Sequence, residues 1–169
     1  LSGEADIGIA TESLTTQSEL FSLPFYHWQH SLIVPQDHPL IRHQSITIDQ
    51  LVEWPLITYH GGFTGRSKID ETFCQAGLKP NIVLSALDAD VIKTYVELGM
   101  GVGIVASIAF DELRDRRLRQ LEVHLFGQNT TWIAVQRDHL LRGFGYRFIE
   151  LCKPDCDLEA LKKVAQSHG

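Results

Sequence analysis

Two pairs of side chains have spacings that a metal ion could use: His27 with His30, and Cys152 with Cys156. Each is half a site, because a tetrahedral ion needs a second pair and none lies at a workable distance. No metal is expected. His27 and His30 then flank Trp28 on a half-buried strand, and Cys152 joins a core. Gly61 to Ser67 resembles a phosphate loop, yet three residues separate Gly61 from Gly65 where such a loop has four, and Arg66 stands in the lysine position. Gly99 to Gly103 follows a helical pattern and opens a strand, the reverse of the order in a dinucleotide loop. No Gly-x-Ser-x-Gly elbow offers a seat to a serine nucleophile. The paired carboxylates Asp88 and Asp90 suit the positive end of the helix they begin. Neither a cofactor nor an enzymatic activity is expected.

What is left is a set of hydroxyls beside free amides. Thr11 directly follows an opening strand, and Thr64 stands among glycines where a helix carrying Ile69 and Phe73 begins. In open α/β sheets ligands collect at the carboxyl ends of strands, where helix N-termini present N–H groups. That chemistry suits an oxyanion. The same two threonines serve equally as the stabiliser of a turn and the cap of a helix, and spacing does not choose between these roles. Arg66 favours the anion, because a cation in a helix's first turn opposes the dipole unless an anion or carboxylate lies near.

The elements that must position these groups alternate between strand and helix. Ala5, Ile7 and Ile9 alternate with Asp6 and Gly8, as in a strand entered at once, and residue 1 is Leu, so the chain reads as one cut inside a domain. Leu20 to Phe25 and Ser31 to Val34 read as two further strands. Thr47 caps a short helix through Val52, Pro55 breaks it, and Leu56 to Tyr59 has the content of a buried strand. The helix with Ile69, Phe73 and Cys74 ends at Gly77. Ile82 to Leu84 is a strand. Asp88 caps a helix whose apolar face is Val91, Ile92, Tyr95, Val96 and Leu98, with Leu87 and Ile92 spaced as a hydrophobic staple and Gly99 as the stop. Val102 to Val105 is a strand and Arg114 to Arg119 a charged surface segment. A strand at 131–135 and helices near 140–151 and 158–164 complete an α/β pattern with a mostly parallel sheet.

Composition narrows the class further. The chain has 169 residues, 44% hydrophobic and 21% charged, with a formal net charge of −6. Scattered basic residues on an acidic chain leave no footprint for a phosphate backbone or an anionic lipid surface. No apolar run reaches the length of a membrane span. The odd, sparse set of three cysteines suits a reducing cytoplasm rather than a disulfide framework.

Three segments carry a family resemblance. They are Gly3-Glu-Ala-Asp-Ile-Gly-Ile-Ala-Thr-Glu12, Phe63-Thr-Gly-Arg-Ser67, and Asp88-Ala-Asp-Val-Ile-Lys-Thr-Tyr-Val96 followed by Gly99-Met-Gly-Val-Gly-Ile-Val-Ala-Ser107. Together they resemble the effector-binding domain of LysR-type transcriptional regulators, in the branch that controls sulfur assimilation. The resemblance implies an α/β fold of two Rossmann-like lobes joined by two crossing strands, similar to periplasmic binding proteins, with the effector in the cleft. Carried onto this chain, the first lobe is residues 1–28 and 128–169 and the second is 29–127. It also implies a sulfate-like or acetylserine-type effector, held through threonine hydroxyls and helix N-termini. Thr11 and Thr64 match two such threonines, with Thr58, His60 and Gly65 as neighbours. Tyr26 and Trp28 match the segment where the chain leaves the first lobe.

The family's winged helix-turn-helix, its linker helix and the first strand and helix of the first lobe, which carry a further anion contact, have no counterpart in these residues. Promoter DNA is therefore expected as a partner only through an N-terminal domain of a full-length, homo-oligomeric parent, with no membrane partner and a cytoplasmic location. His60 stands where the branch often has an uncharged polar residue, which leaves the choice of effector open. A solute-binding protein for a small oxyanion shares the fold and is the alternative.

Overall fold

The computed structural model describes residues 5–11, 17–63, 65–137 and 141–166. Its elements are β1 (Ile7–Ala10), β2 (Leu20–Pro35), α1 (Ile48–Val52), β3 (Leu56–Tyr59), α2 (Arg66–Gln75), β4 (Ile82–Ala86), α3 (Ala89–Glu97), β5 (Val102–Ala106), β6 (Leu118–Glu122), β7 (Gln128–Gln136), α4 (Gly143–Cys152) and α5 (Leu158–Gln166). Among the described residues no helix is long and apolar enough to cross a membrane. The chain divides into a smaller unit, Leu1–His27 with Thr130–Gly169, and a larger one, Trp28–Asn129.

In the larger unit the strand order is β6-β2-β5-β3-β4. β2 pairs antiparallel with β5, from His30↔Ala106 to Ile33↔Gly103, and with β6, from Ser31↔Glu122 to Pro35↔Leu118. β3 runs parallel to both β4 and β5. Successive residues of a strand face opposite sides, and both sides here are covered. Leu32, Val34, Leu56, Val102 and Ile104 pack with Leu51 of α1 and with Ile69 and Phe73 of α2. Ile33, Ile57, Tyr59 and Val105 pack with Ile92 and Val96 of α3. Gly103 lets α3 lie directly on β5: a Cβ there would stand 2.8 Å from Val96 Cγ2 and 3.2 Å from Ile92 Cγ2.

In the smaller unit β1 pairs antiparallel with β7, from Ile7↔Val135 to Ala10↔Trp132, and the first half of β2 lies beside β7. Ile133, Val135, Leu141, Ile149 and Leu161 form the core, with Phe21, Leu23 and Phe25 half-buried against it.

Several expectations change. The sheet is mixed rather than mostly parallel, because β2 meets β5 and β6 head to tail and β1 meets β7 the same way. The two strands expected at 20–25 and 31–34 are one, β2, which passes from one unit to the other at His27 and Trp28. The charged segment 114–119 runs into β6, whose Leu118 is buried. Asp88 does cap α3, accepting from the Val91 N–H at 2.9 Å, and Gly99 is left-handed at φ 77°. The inner face of that helix is Ile92, Lys93 and Val96 with Tyr95 partly buried beside them, as expected for Ile92, Tyr95 and Val96, whereas Val91 (39% exposed) and Leu98 (70%) face solvent and Leu87 (65%) makes no staple. Lys93 is buried because its ammonium donates to Ala109 O and pairs with Asp115 and Asp90 at 3.0 Å each. Burial pushes its pKa down, and the two carboxylates overcome that and hold it above the usual value.

Candidate functional site

Every residue of β3 is buried, so the strand delivers its carboxyl end and the loop after it as a fixed platform. The Thr58 hydroxyl donates to Ile104 O at 3.0 Å, locking β3 to β5. Tyr59 Oη accepts from the Ala106 N–H at 3.1 Å, and burial raises the phenol's pKa above its ordinary value. The His60 N–H donates to Ala86 O at 2.8 Å, which ties the first loop residue to β4. Its imidazole is exposed, with Nδ1 3.1 Å from Gly61 O.

The loop ends at Gly65, the N-cap of α2, with φ 68° and no side-chain cap. The ten-residue helix thus begins without a side-chain cap, and backbone oxygens meet its first turn instead: the Arg66 N–H donates to Phe63 O at 2.9 Å and the Lys68 N–H to Gly65 O at 3.1 Å. Arg66 in the first turn was expected to call for an anion, and here the structure differs. Its Nε pairs with Asp70 at 2.8 Å, its Nη1 donates to Tyr59 O at 2.6 Å, and the carboxylate one turn along supplies the charge that opposes the dipole.

The Gly65 turn also rests on His30, noted in the sequence only for its spacing from His27, and on Asn129, which no motif marked. A Cβ at Gly65 would stand 2.6 Å from Asn129 Oδ1 and 2.9 Å from His30 Cε1. His30 (1% exposed) and Asn129 (4%) are buried, and Asn129 Nδ2 lies 3.3 Å from His30 Nδ1. The His30 ring meets Trp28 edge-on with centroids 5.0 Å apart and Phe126 at 5.7 Å. The Lys68 ammonium donates to Gln128 O, which fixes the same helix to the start of β7. His30 was expected on a half-buried strand. It is fully enclosed instead, because its side chain points at α2 and Phe126, a neighbourhood that alternation along β2 does not reveal.

The other expected residues are placed as follows. Thr58, His60 and Gly65 surround one loop of the larger unit, where Thr58 faces inward and His60 outward. Trp28 is buried in that unit, beside His30. Thr11 lies half-buried in the bend after β1 of the smaller unit, and Tyr26, 37% exposed, stands edge-on to Phe25. Thr64 lies outside the described residues. His27 Nδ1 lies 2.9 Å from Thr130 Oγ1. Cys74, Cys152 and Cys156 are free thiols.

Such a platform offers a small anion the positive end of a helix. The LysR substrate binding domain family matches residues 1–157. The HTH-type transcriptional regulator CysB of Burkholderia cenocepacia is 49% identical over 170 residues, which covers 98% of this chain and 54% of that protein. The regulator cbl of Klebsiella aerogenes is 49% identical over 164 residues, 96% of this chain and 52% of that protein. These relatives are transcriptional regulators, not enzymes, and the chain spans about half their length. The crystal structure of the cofactor-binding domain of the Cbl transcriptional regulator matches with a TM-score of 0.90 at 48% identity, covering 95% of this chain and 71% of that one. A likeness this high in both sequence and backbone leaves one assignment: the chain belongs to the LysR substrate binding domain family and has the two-lobed α/β fold of LysR effector-binding domains.

Proposed function

We propose that this domain senses a sulfate-like or acetylserine-type molecule for a regulator of sulfur assimilation that serves the cysteine regulon or sulfonate use. The observation that carries this reading is the start of α2, where a left-handed glycine N-cap leaves the helix amides without a side-chain cap. A negatively charged ligand is favoured there by the helix dipole, with no cationic side chain required. The likeness to CysB and cbl supports the sulfur connection. In this proposal Thr64 and Thr11 add hydroxyl donors, Gly65 lets the backbone approach, and Thr58, His60, Tyr26 and Trp28 shape the surroundings. The lobes are proposed as residues 1–28 with 128–169, and 29–127. The parent protein binds promoter DNA as a homo-oligomer through a helix-turn-helix outside these residues.

Calorimetry with sulfate, thiosulfate, O-acetylserine and N-acetylserine tests the proposal. One of them should bind, and Thr64→Val should weaken that binding by about 1–3 kcal/mol, the usual cost of losing a hydroxyl contact to a charged group. Unchanged affinity in Thr64→Val removes that residue from the site, and no binding of any of the four overturns the reading.

A further inference from the structure

We propose that His30 and Asn129 are positioning residues of the effector site, and that with Gly65 they form a seat coupling the first turn of α2 to the strands by which the chain enters and leaves the larger unit. The functional half of this rests on the anion reading of that turn; the seat itself rests on geometry alone.

Chain connectivity gives the seat its importance. The chain enters the larger unit at Trp28 and leaves it at Asn129, so His30 lies two residues past the entry and Asn129 is the exit residue itself. The two side chains are buried and lie within hydrogen-bonding distance of each other. Their nearest atoms would stand 2.6 Å and 2.9 Å from a Cβ at position 65, so the backbone of the turn lies directly on the pair. Glycine is required at this point twice over, for its positive φ of 68° and for the absent Cβ. Trp28 and Phe126 wall the imidazole edge-on, and the Lys68 ammonium bonds the carbonyl of Gln128, next to the exit residue. A close-packed contact of this kind transmits displacement, because neither side yields without repacking the other. An anion held at the positive end of α2 that draws the helix toward itself therefore loads residues 28–30 and 128–129.

A comparison of two glycines isolates the effect. Gly62 has φ 82° and nothing within 4 Å of its Cβ position, so Gly62→Ala imposes left-handed strain without a collision. Gly65→Ala imposes both. In hydrogen exchange of the ligand-free 169-residue chain, Gly65→Ala should speed exchange at 28–31 and 128–131 by roughly tenfold or more, as a typical overpacking cost implies. Gly62→Ala should leave both segments within about twofold of the parent. Equal exchange there in Gly65→Ala and the parent overturns the seat.

Should Gly65→Ala fail to fold, Asn129→Ala removes the nearest obstructing atom and serves instead. In the parent, added sulfate should slow exchange both at the first turn of α2 and at 28–31; in Asn129→Ala the first effect should persist and the second disappear. Protection of the turn alone in the parent overturns the coupling while leaving the anion reading intact. If sulfate does not bind, the same exchange comparison is run with whichever of thiosulfate, O-acetylserine or N-acetylserine does; binding by none of the four overturns the anion reading, and the ligand-free glycine comparison still decides the seat.

Discussion

The two units both expose some apolar side chains on their helices and loops, and they differ in how their strands are covered. In the larger one, Leu32, Ile33 and Val34 are consecutive and each is 0% exposed, because α1 and α2 cover one face of the sheet and α3 the other. In the smaller one, β1 exposes Ile9 at 48%, and α4 exposes Phe144 at 67% and Leu151 at 66% while burying Ile149. Its described residues form one core cluster, against two in the larger unit. Apolar side chains stabilise a fold only to the extent that something covers them, so similar strands contribute unequally in the two places.

The largest consequence is a difference in local opening. Amides of α3 from Val91 to Leu98 should exchange only near global unfolding, on the order of 5–15 kcal/mol for a domain, whereas Ile7 to Ala10 and Trp132 to Val135 should exchange early. Native-state hydrogen exchange measures both, and uniform protection across the two units breaks the comparison. Next in size is core truncation. Phe73→Ala, at a side chain 1% exposed and shared by α2 and the sheet, should cost about 3–5 kcal/mol. Denaturant unfolding checks this, and a loss below about 1 kcal/mol would mean that the site collapses freely instead of leaving a cavity. The smallest effect is Asp88→Ala. It removes the cap of α3 and should cost about 1 kcal/mol, with Asp88→Asn restoring most of it. A loss confined to α3 exchange, with the unfolding midpoint unmoved, would show that the helix end opens separately from its unit.

Local chemistry made much of the larger unit legible. The Asp88 and Thr47 caps and the left-handed stops Gly77 and Gly99 all act within one turn of the chain. β6 was missed because its Leu118-Arg-Gln-Leu-Glu122 mixes charge with apolar residues, as an edge strand does, and only its pairing with β2 defines it. The staple at Leu87 was expected from spacing, yet spacing carries no information about which side of α3 meets the sheet. Arg66 was read as seeking an anion, and Asp70, four residues on, already answered it.

The candidate site divides in the same way. The glycine loop after β3 and the start of α2 follow from residue types and their order, because turns, caps and stops depend on neighbours along the chain. The enclosure of His30, its partnership with Asn129 and the contact of both with Gly65 join residues up to 99 positions apart. No local rule reaches that far. Only the packing of β2, β7 and α2 against one another decided that a histidine on a strand and an asparagine in no motif would lie beneath the turn.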